Sequence, residues 1–201
     1  MRTTRYLLAQ LASCQNLLYK NPTFLLFLLL TLIIGCALPF GGPRTPEEQV
    51  AVVTTDKGPF VIEFYNDAAP VAVANFIKLI NQKFYDGLTF HRRVDEFVVQ
   101  GGCPNGDGTG GPGWNIADEY TNPNQRPHLR GTVAMARTQA PNSSGSQFYI
   151  CFKPQPYLDG NYTTFGGVIQ GMDVVDRLEI GDVMTKIRLE AKSKYVKATA
   201  E

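Results

Sequence analysis

The sequence predicts a mainly β domain, a closed or nearly closed antiparallel barrel with two helices as lids, preceded by a short apolar segment. Three observations predict this fold: short β-rich runs recur along the chain, glycine-rich segments connect them, and only two stretches carry helical periodicity. Strands and helices do not alternate, which disfavours a doubly wound α/β sheet. A chain of 201 residues is long enough for one such domain and the added segment.

Charge and composition exclude several classes of function. The 19 basic and 18 acidic side chains give a net charge of +1, so there is no electrostatic reason to expect a nucleic-acid partner. The two histidines, His91 and His128, and the four cysteines do not show zinc-ligand spacing. We therefore expect no metal site.

The N-terminal segment predicts a membrane connection. Residues 24–40 give about 17 positions without a charge, after a basic N-terminal stretch, so residues 1–40 are expected to be a signal peptide or a membrane anchor. The run ends in Leu-Ile-Ile-Gly-Cys, similar to the lipobox of bacterial lipoproteins, which would make Cys36 a lipidated first residue. An uncleaved anchor is the open alternative. In both cases the domain faces the periplasm or an equivalent extracytoplasmic or luminal space.

The remaining chain divides into three parts. Residues 41–49 predict a linker, because the segment from Gly41 to Glu48 has no apolar residue to bury. Residues 50–190 form the expected domain. Residues 191–201 are small and charged and predict a polar tail.

The domain begins with a predicted hairpin and a helix. The β-rich runs Ala51–Thr55 and Phe60–Tyr65 are separated by a turn signal, which favours a hairpin with one buried face. Asp67 is suited to cap a helix that has Pro70 in its first turn. Its apolar positions recur at helical spacing: Val73, Phe76, Ile77 and Ile80.

Further short elements follow the first helix. The glycine-rich segment Gly101–Gly113 lacks the Gly-Lys-Ser/Thr ending of a phosphate-binding loop and predicts an irregular surface loop. A second, shorter helical pattern covers Met172–Leu178. The β-like runs are Phe97–Gln100, Gly131–Ala136, Gln147–Phe152, Thr164–Ile169 and Lys186–Glu190.

One stretch, residues 90–102, combines charge, an amide and a glycine pair. Arg92 and Arg93 precede an apolar run in which Gln100 is the single amide, and the glycines that follow allow close backbone approach. In a functional interpretation, an arginine and the Gln100 amide belong to one binding or catalytic site. In a structural interpretation, which these residues alone favour, both arginines pair with Asp95 and Glu96, and Gln100 satisfies a backbone group.

Additional motifs change that balance. Phe-His-Arg at 90–92, Phe97 and Gln-Gly-Gly at 100–102 are followed by Gly-Ser-Gln-Phe at 145–148, Leu-Asp-Gly at 158–160 and Phe-Gly at 165–166. In this order and spacing they resemble the cyclophilin family of peptidyl-prolyl cis-trans isomerases, from about Val52 to Leu189. The resemblance implies an eight-stranded barrel closed by two helices and a non-covalent isomerase without cofactor or metal.

The resemblance also implies a set of site residues. Arg92 would be the catalytic donor to the prolyl nitrogen, and Gln100 would orient it. The other residues implied are a proline socket of Phe97, Val98, Tyr149 and Leu158, a groove lined by Ala136, Arg137 and Gln147, and a rim of Tyr157 and Tyr162.

Some of these residues depart from the family pattern. Val98 replaces the usual methionine, Tyr149 the second phenylalanine, and Asp95-Glu96 a Pro-Gly pair. Tyr157 and Tyr162 stand where many eukaryotic members have tryptophan and histidine. These departures predict weak cyclosporin binding and an altered isomerase activity.

The expected partners are proline-containing peptides and unfolded or exported proteins, and the chain is expected to be a monomer. The alternative is a non-catalytic adaptor or chaperone that binds proline peptides in the same groove. The presence of both Arg92 and Gln100 favours the enzyme.

Overall fold

Eight antiparallel strands form one curled sheet in the computed structural model, which describes residue 45 and residues 48–196. The helices are α1 (Pro70–Asn81) and α2 (Met172–Asp176), with 3-10 turns at Pro156–Leu158 and Lys192–Lys194. The strands are β1 (Gln49–Thr55), β2 (Gly58–Phe64), β3 (Phe90–Val94), β4 (Val98–Gly101), β5 (Thr132–Met135), β6 (Phe148–Cys151), β7 (Thr164–Gln170) and β8 (Met184–Ala191). The predicted class, mainly β with two helices, is confirmed.

Closure of the barrel is only partial, so of the closed and nearly closed forms that the sequence predicts, the fully closed one is wrong. The strand order is β3-β4-β6-β5-β7-β2-β1-β8, so β3 and β8 are the two edges. They meet in a single bridge, Thr89 with Val183, flanked by a hydrogen bond from the Met184 N–H to the Leu88 carbonyl at 2.8 Å. A register shift between Phe90 and Arg92 interrupts β3 just beyond that bridge, so the edges join at one end only and the sheet is a half-barrel.

The core lies inside the curl of the sheet, under α1. The expected hairpin is present, since β1 and β2 pair antiparallel, and the alternating residues of β2, including Phe60 and Ile62, are fully buried. Phe76 of α1 packs against Phe148 and Phe165 at centroid distances of 5.4 and 5.1 Å. This aromatic cluster fixes β6, the strand that also carries Tyr149.

Helix α1 begins at Pro70 as expected, but the predicted capping residue is wrong. Ala69 is the N-cap residue and makes no side-chain capping bond. The carboxylate of Glu119 caps the helix instead, accepting the N–H groups of Val71 and Ala72 at 2.9 Å each. The Asp67 carboxylate pairs with Arg126 at 3.3 Å.

Strand β3 is absent from the β-rich runs found in the sequence. Its five residues include a histidine and two arginines, and only Phe90 is buried. An edge strand pairs with one neighbour only, and solvent reaches most of its side chains, so its sequence need not alternate apolar with polar residues. The hydrophobic pattern therefore gave no signal for this strand, which carries Arg92.

Several expectations concern residues outside those described. The signal or anchor at 1–40, its lipidation at Cys36 and nearly all of the linker at 41–49 belong here. Within the described residues, no helix has both the length and the apolarity needed to cross a membrane. In the tail, residues up to 196 follow β8, and the Tyr195 hydroxyl donates to Glu190 at 2.8 Å.

Candidate active site

The β3–β4 hairpin brings the predicted cation and amide together. Arg92 and Gln100 are cross-strand partners, and Arg92 Nη1 donates to Gln100 Oε1 at 3.5 Å. Gln100 is also the partner of Tyr149 on β6. The sheet register thus aligns Arg92, Gln100 and Tyr149 across three neighbouring strands.

Hydrogen bonds fix the orientation of both glutamine amides. Gln147 Nε2 donates to the carbonyls of Gly108 and Gly110 at 2.8 and 2.9 Å, so Gln147 Oε1 faces the other way. That oxygen accepts from Gln100 Nε2 at 3.0 Å, which turns Gln100 Oε1 towards Arg92. The glycine-rich loop therefore orients the arginine through two amides.

The neighbouring arginine has a different place. Arg93 Nη1 donates to the carbonyls of Asp176, at 3.0 Å, and of Leu178, where α2 ends. Arg93 Nε lies 2.9 Å from Asp95, whereas Glu96 pairs with Lys153. The structural interpretation thus applies to Arg93, while no carboxylate among the described residues pairs with Arg92.

A cavity of about 220 Å³ opens beside Arg92. Every residue that lines it is one that the resemblance to cyclophilins implies for the site: Arg92, Phe97, Val98, Gln100, Ala136, Arg137, Tyr149, Leu158 and Tyr162. Of the other two predicted site residues, Gln147 does not line this cavity but accepts a hydrogen bond from Gln100. Tyr157 lies outside the cavity wall, where it is 64% exposed and stacks on Phe97 at 5.9 Å.

The base of this cavity is apolar. Val98, Tyr149 and Leu158 are buried in one cluster with Ala134 and Cys151. The Arg92 guanidinium lies 5.6 Å from the centre of the Phe97 ring at the cavity edge. A small apolar ring could therefore be buried here with a permanent cation next to it.

A second, larger cavity of about 710 Å³ adjoins the first and is more polar. The two share Gln100, Ala136 and Arg137, so Arg137 stands between them. Arg137 Nε donates to the Asn161 carbonyl at 2.9 Å, and its guanidinium lies within 5.5 Å of the Tyr162 ring centre. An extended chain could pass over Ala136 and Arg137 from one cavity to the other.

The glycine-rich loop forms a wall of this larger cavity and is organised around Cys103. The Cys103 sulfur accepts the N–H groups of Gly108 and Gly110 at 3.2 Å each. Burial acts to raise the pKa of the thiol, but these amides outweigh it and lower the pKa. Cys103 and the other cysteine of the domain, Cys151, are both free and buried.

The polar group of Tyr149 points out of the socket. Its hydroxyl lies 3.0 Å from Nε2 of His128, and Nδ1 of His128 lies 2.7 Å from the Asp159 carboxylate. The Tyr149 ring therefore contributes carbon atoms to the cavity, and the socket stays apolar. Sequence reasoning missed His128 and Asp159 as neighbours of the site, because they lie 21 and 10 residues from Tyr149.

Comparisons with known proteins show the family of this chain. Residues 50–199 match the family described as cyclophilin type peptidyl-prolyl cis-trans isomerase/CLD. The chain is 48% identical to a peptidyl-prolyl cis-trans isomerase of Synechococcus elongatus, over 69% of this chain and 94% of that protein. It is 50% identical to peptidyl-prolyl cis-trans isomerase B of Bacillus subtilis, over 64% and 88%.

A solved structure shows the same fold. The cyclophilin type isomerase of Cryptosporidium parvum, crystallised in the presence of the dipeptide Ala-Pro, superposes with a TM-score of 0.65 at 29% identity. The match covers 71% of this chain and 99% of that one. By family match and by fold, the chain belongs to the cyclophilin-type peptidyl-prolyl cis-trans isomerases.

Proposed function

We propose that this cyclophilin accelerates rotation about X-Pro bonds in exported proteins without a covalent intermediate, with Arg92 as the assisting cation. Amide resonance sets a rotation barrier of about 18 to 20 kcal/mol, and uncatalysed exchange takes tens to hundreds of seconds. A catalyst has to bind the twisted amide better than either planar form. The observation that carries the proposal is a charged Arg92, without a carboxylate partner among the described residues, at the edge of an apolar cavity.

Each part of the site has a role in this mechanism. The prolyl ring is held in the socket of Phe97, Val98, Tyr149 and Leu158. As C–N conjugation is lost, the lone pair of the prolyl nitrogen becomes localised on that atom, and Arg92 donates a hydrogen bond to it. Gln100 holds Arg92 in place, and the groove at Ala136, Arg137 and Gln147 takes the residues flanking proline.

The test is cis-trans exchange in a short Ala-Pro peptide, measured by NMR exchange spectroscopy on the full chain. Arg92→Ala is expected to lower the exchange rate by roughly 100- to 1000-fold, the usual cost of removing a charge-stabilising donor. Arg93→Ala is the matched control: it removes the neighbouring guanidinium from α2, so stability falls while exchange stays within about threefold.

Two results would contradict this function. Equal losses in both variants would show that the arginines act through the fold. A folded wild-type chain that binds the peptide without accelerating cis-trans exchange would favour the non-catalytic adaptor. Val98 and Tyr149 would then be the first residues to replace by mutation.

The place of action is a second part of the proposal. The uncharged run at 24–40 and the basic residues before it support a membrane-anchored enzyme facing the periplasm or an equivalent space. Exported proteins would then be its clients. Intact mass of membrane-extracted protein distinguishes lipidation at Cys36 from a retained anchor, because a mass equal to the uncut chain contradicts lipidation.

A further inference from the structure

Three side chains form a polar network directly behind the proline socket, and two of them, His128 and Tyr149, are buried. The Tyr149 hydroxyl meets His128 Nε2, and His128 Nδ1 meets Asp159 Oδ1, at 3.0 and 2.7 Å. His128 is 1% exposed and Tyr149 is 5% exposed, so water does not compete for the bond between them, whereas the Asp159 side chain is 40% exposed. No step of the mechanism above uses His128 or Asp159.

The protons in this network have one consistent arrangement. Asp159 Oδ1 also accepts the backbone N–H of His128 at 2.8 Å, so the carboxylate is an acceptor and His128 Nδ1 is a donor. Burial lowers the pKa of His128 and keeps its ring neutral, which leaves Nε2 as an acceptor. Burial raises the pKa of Tyr149, so the phenol stays protonated and its O–H donates a hydrogen bond to Nε2.

The same network ties two walls of the socket together. Tyr149 lies on β6, whereas Leu158 lies in the 3-10 turn that follows and is immediately succeeded by Asp159. His128 bonds to the hydroxyl of the first wall and to the carboxylate next to the second. The His128 carbonyl also accepts the Gln155 N–H at 2.7 Å, which anchors the start of that turn.

We propose that His128 is a positioning residue for isomerisation, holding the Tyr149 ring against the turn of Leu158 so that the socket keeps the width of a prolyl ring. This inference rests on the proposed function. Without its hydroxyl bond, the Tyr149 ring would be positioned by packing against its neighbours alone. Holding it in advance removes an ordering cost that substrate binding would otherwise bear.

A double-mutant cycle tests this coupling on the full chain. In His128→Asn the amide can still reach Asp159 in the manner of Nδ1, but it is too short to accept from Tyr149. In His128→Gln the amide oxygen can take the place of Nε2 and accept the tyrosine hydroxyl. Tyr149→Phe removes the hydroxyl and keeps the ring.

The expected losses follow from one hydrogen bond. His128→Asn and Tyr149→Phe should each lower kcat/KM for a proline peptide by about 3- to 10-fold. The double variant should lose no more than either single one, and His128→Gln should recover most of the activity. The peptide Kd, from NMR titration, should weaken in the same two single variants.

Outcomes that overturn the inference are equally specific. If losses from His128→Asn and Tyr149→Phe multiply in the double variant, His128 does not act through Tyr149. An active, folded His128→Asn variant with wild-type kcat/KM and Kd also refutes it. Should His128→Asn fail to fold, the comparison of Tyr149→Phe with wild type decides, since unchanged kinetics and Kd there contradict the role.

The inference and the proposed function fail in different ways. An inactive wild-type chain contradicts the isomerase, but the Kd cycle still tests whether His128 shapes the socket. An active wild-type chain without coupling between His128 and Tyr149 leaves the isomerase intact and removes only the positioning role.

Discussion

The carboxylate of Glu119 accepts the N–H of Val71 at 2.9 Å, although 48 residues separate them in the chain. Its second oxygen accepts the next N–H of α1, from Ala72. Glu119 itself is held by the Thr163 hydroxyl, which accepts its backbone N–H at 2.9 Å. The first turn of α1 is thus capped from a distant loop rather than by the residue before it.

Replacing this cap should destabilise the domain. Glu119→Gln leaves one oxygen for two N–H groups and removes a negative charge from the helix N-terminus, so the free energy of unfolding should fall by about 1 kcal/mol. Asp67→Asn, at the position the sequence favoured for the cap, changes only an exposed ion pair and should cost less than about 0.5 kcal/mol. Urea unfolding measures both, and equal losses would contradict the assignment.

Removing the hydrogen bonds that connect the glycine-rich loop to Arg92 should slow isomerisation even though Arg92 itself is unchanged. Gln147→Ala removes the amide that joins the Gly108 carbonyl to Gln100, so Gln100 can turn away from Arg92. We expect kcat/KM to fall by roughly 10-fold. Asn105→Ala is the control, because it removes an exposed bond within the same loop, and it should stay near wild type.

Both histidines should make stability depend on pH in the same direction. Burial lowers the pKa of His128 and of His91 from the usual 6.5, and for His91 the charge of Arg92 adds to this. As the pH falls, these histidines therefore take up protons in the unfolded chain before they do so in the folded one. Their contribution to the free energy of unfolding is fully present above pH 6.5 and is lost as the pH drops below it. The slope should be smaller in His128→Gln, and an unchanged slope would contradict a neutral, buried His128.

The two cysteines of the domain should differ in reactivity. Burial raises the pKa of Cys151 to about 12, so almost no thiolate exists there at pH 8, whereas the loop amides lower the pKa of Cys103. Alkylation followed by peptide mass mapping should modify Cys103 first. Cys103→Ser identifies the fast site, and faster labelling of Cys151 would show that the socket opens more readily than the loop.

Weak cyclosporin binding should depend on Tyr157. This side chain is exposed and stacks on Phe97, so a larger ring there would extend the apolar surface beside the socket. Tyr157→Trp is expected to tighten cyclosporin binding by about 10-fold or more in calorimetry, because an indole adds both contact area and an N–H donor. Tyr157→Phe adds neither and should leave the Kd near wild type, and a wild-type Kd that is already tight would contradict the prediction.

Local patterns and ordered motifs predicted much of the fold and the walls of the smaller cavity. The alternation in β2 and the helical spacing of α1 depend on neighbouring residues, so the sequence reveals them directly. Strand β3 was missed because its exposed arginines serve the site and the end of α2 instead of the core. The contact of Arg92 with Gln100 depends on the register between β3 and β4, and the spacing of apolar residues in the sequence does not determine that register.

Long-range polar contacts were hidden for the same reason. Glu119 and His128 each act on residues at least 21 positions away, and each lies in a loop without periodicity. Their partners lie in features that the sequence did reveal, Val71 and Ala72 in the first turn of the predicted helix and Tyr149 in the predicted socket. Only folding brings an acceptor from a distant loop to the N–H groups at the start of α1 and to the Tyr149 hydroxyl.

The pairing of β1 with β8 imposes an order on folding. Gln49 is matched with Ala191, so the first strand of the domain completes its hydrogen bonding only when the last strand has been made. Residues 90–162, which hold the whole site, leave the ribosome earlier. During synthesis β1 has β2 beside it and a bare edge on the other side, and closing so long a loop is entropically slow. The edge strand β8 is therefore the last strand of the sheet to be synthesised, and its pairing with β1 is the last strand pairing that can form.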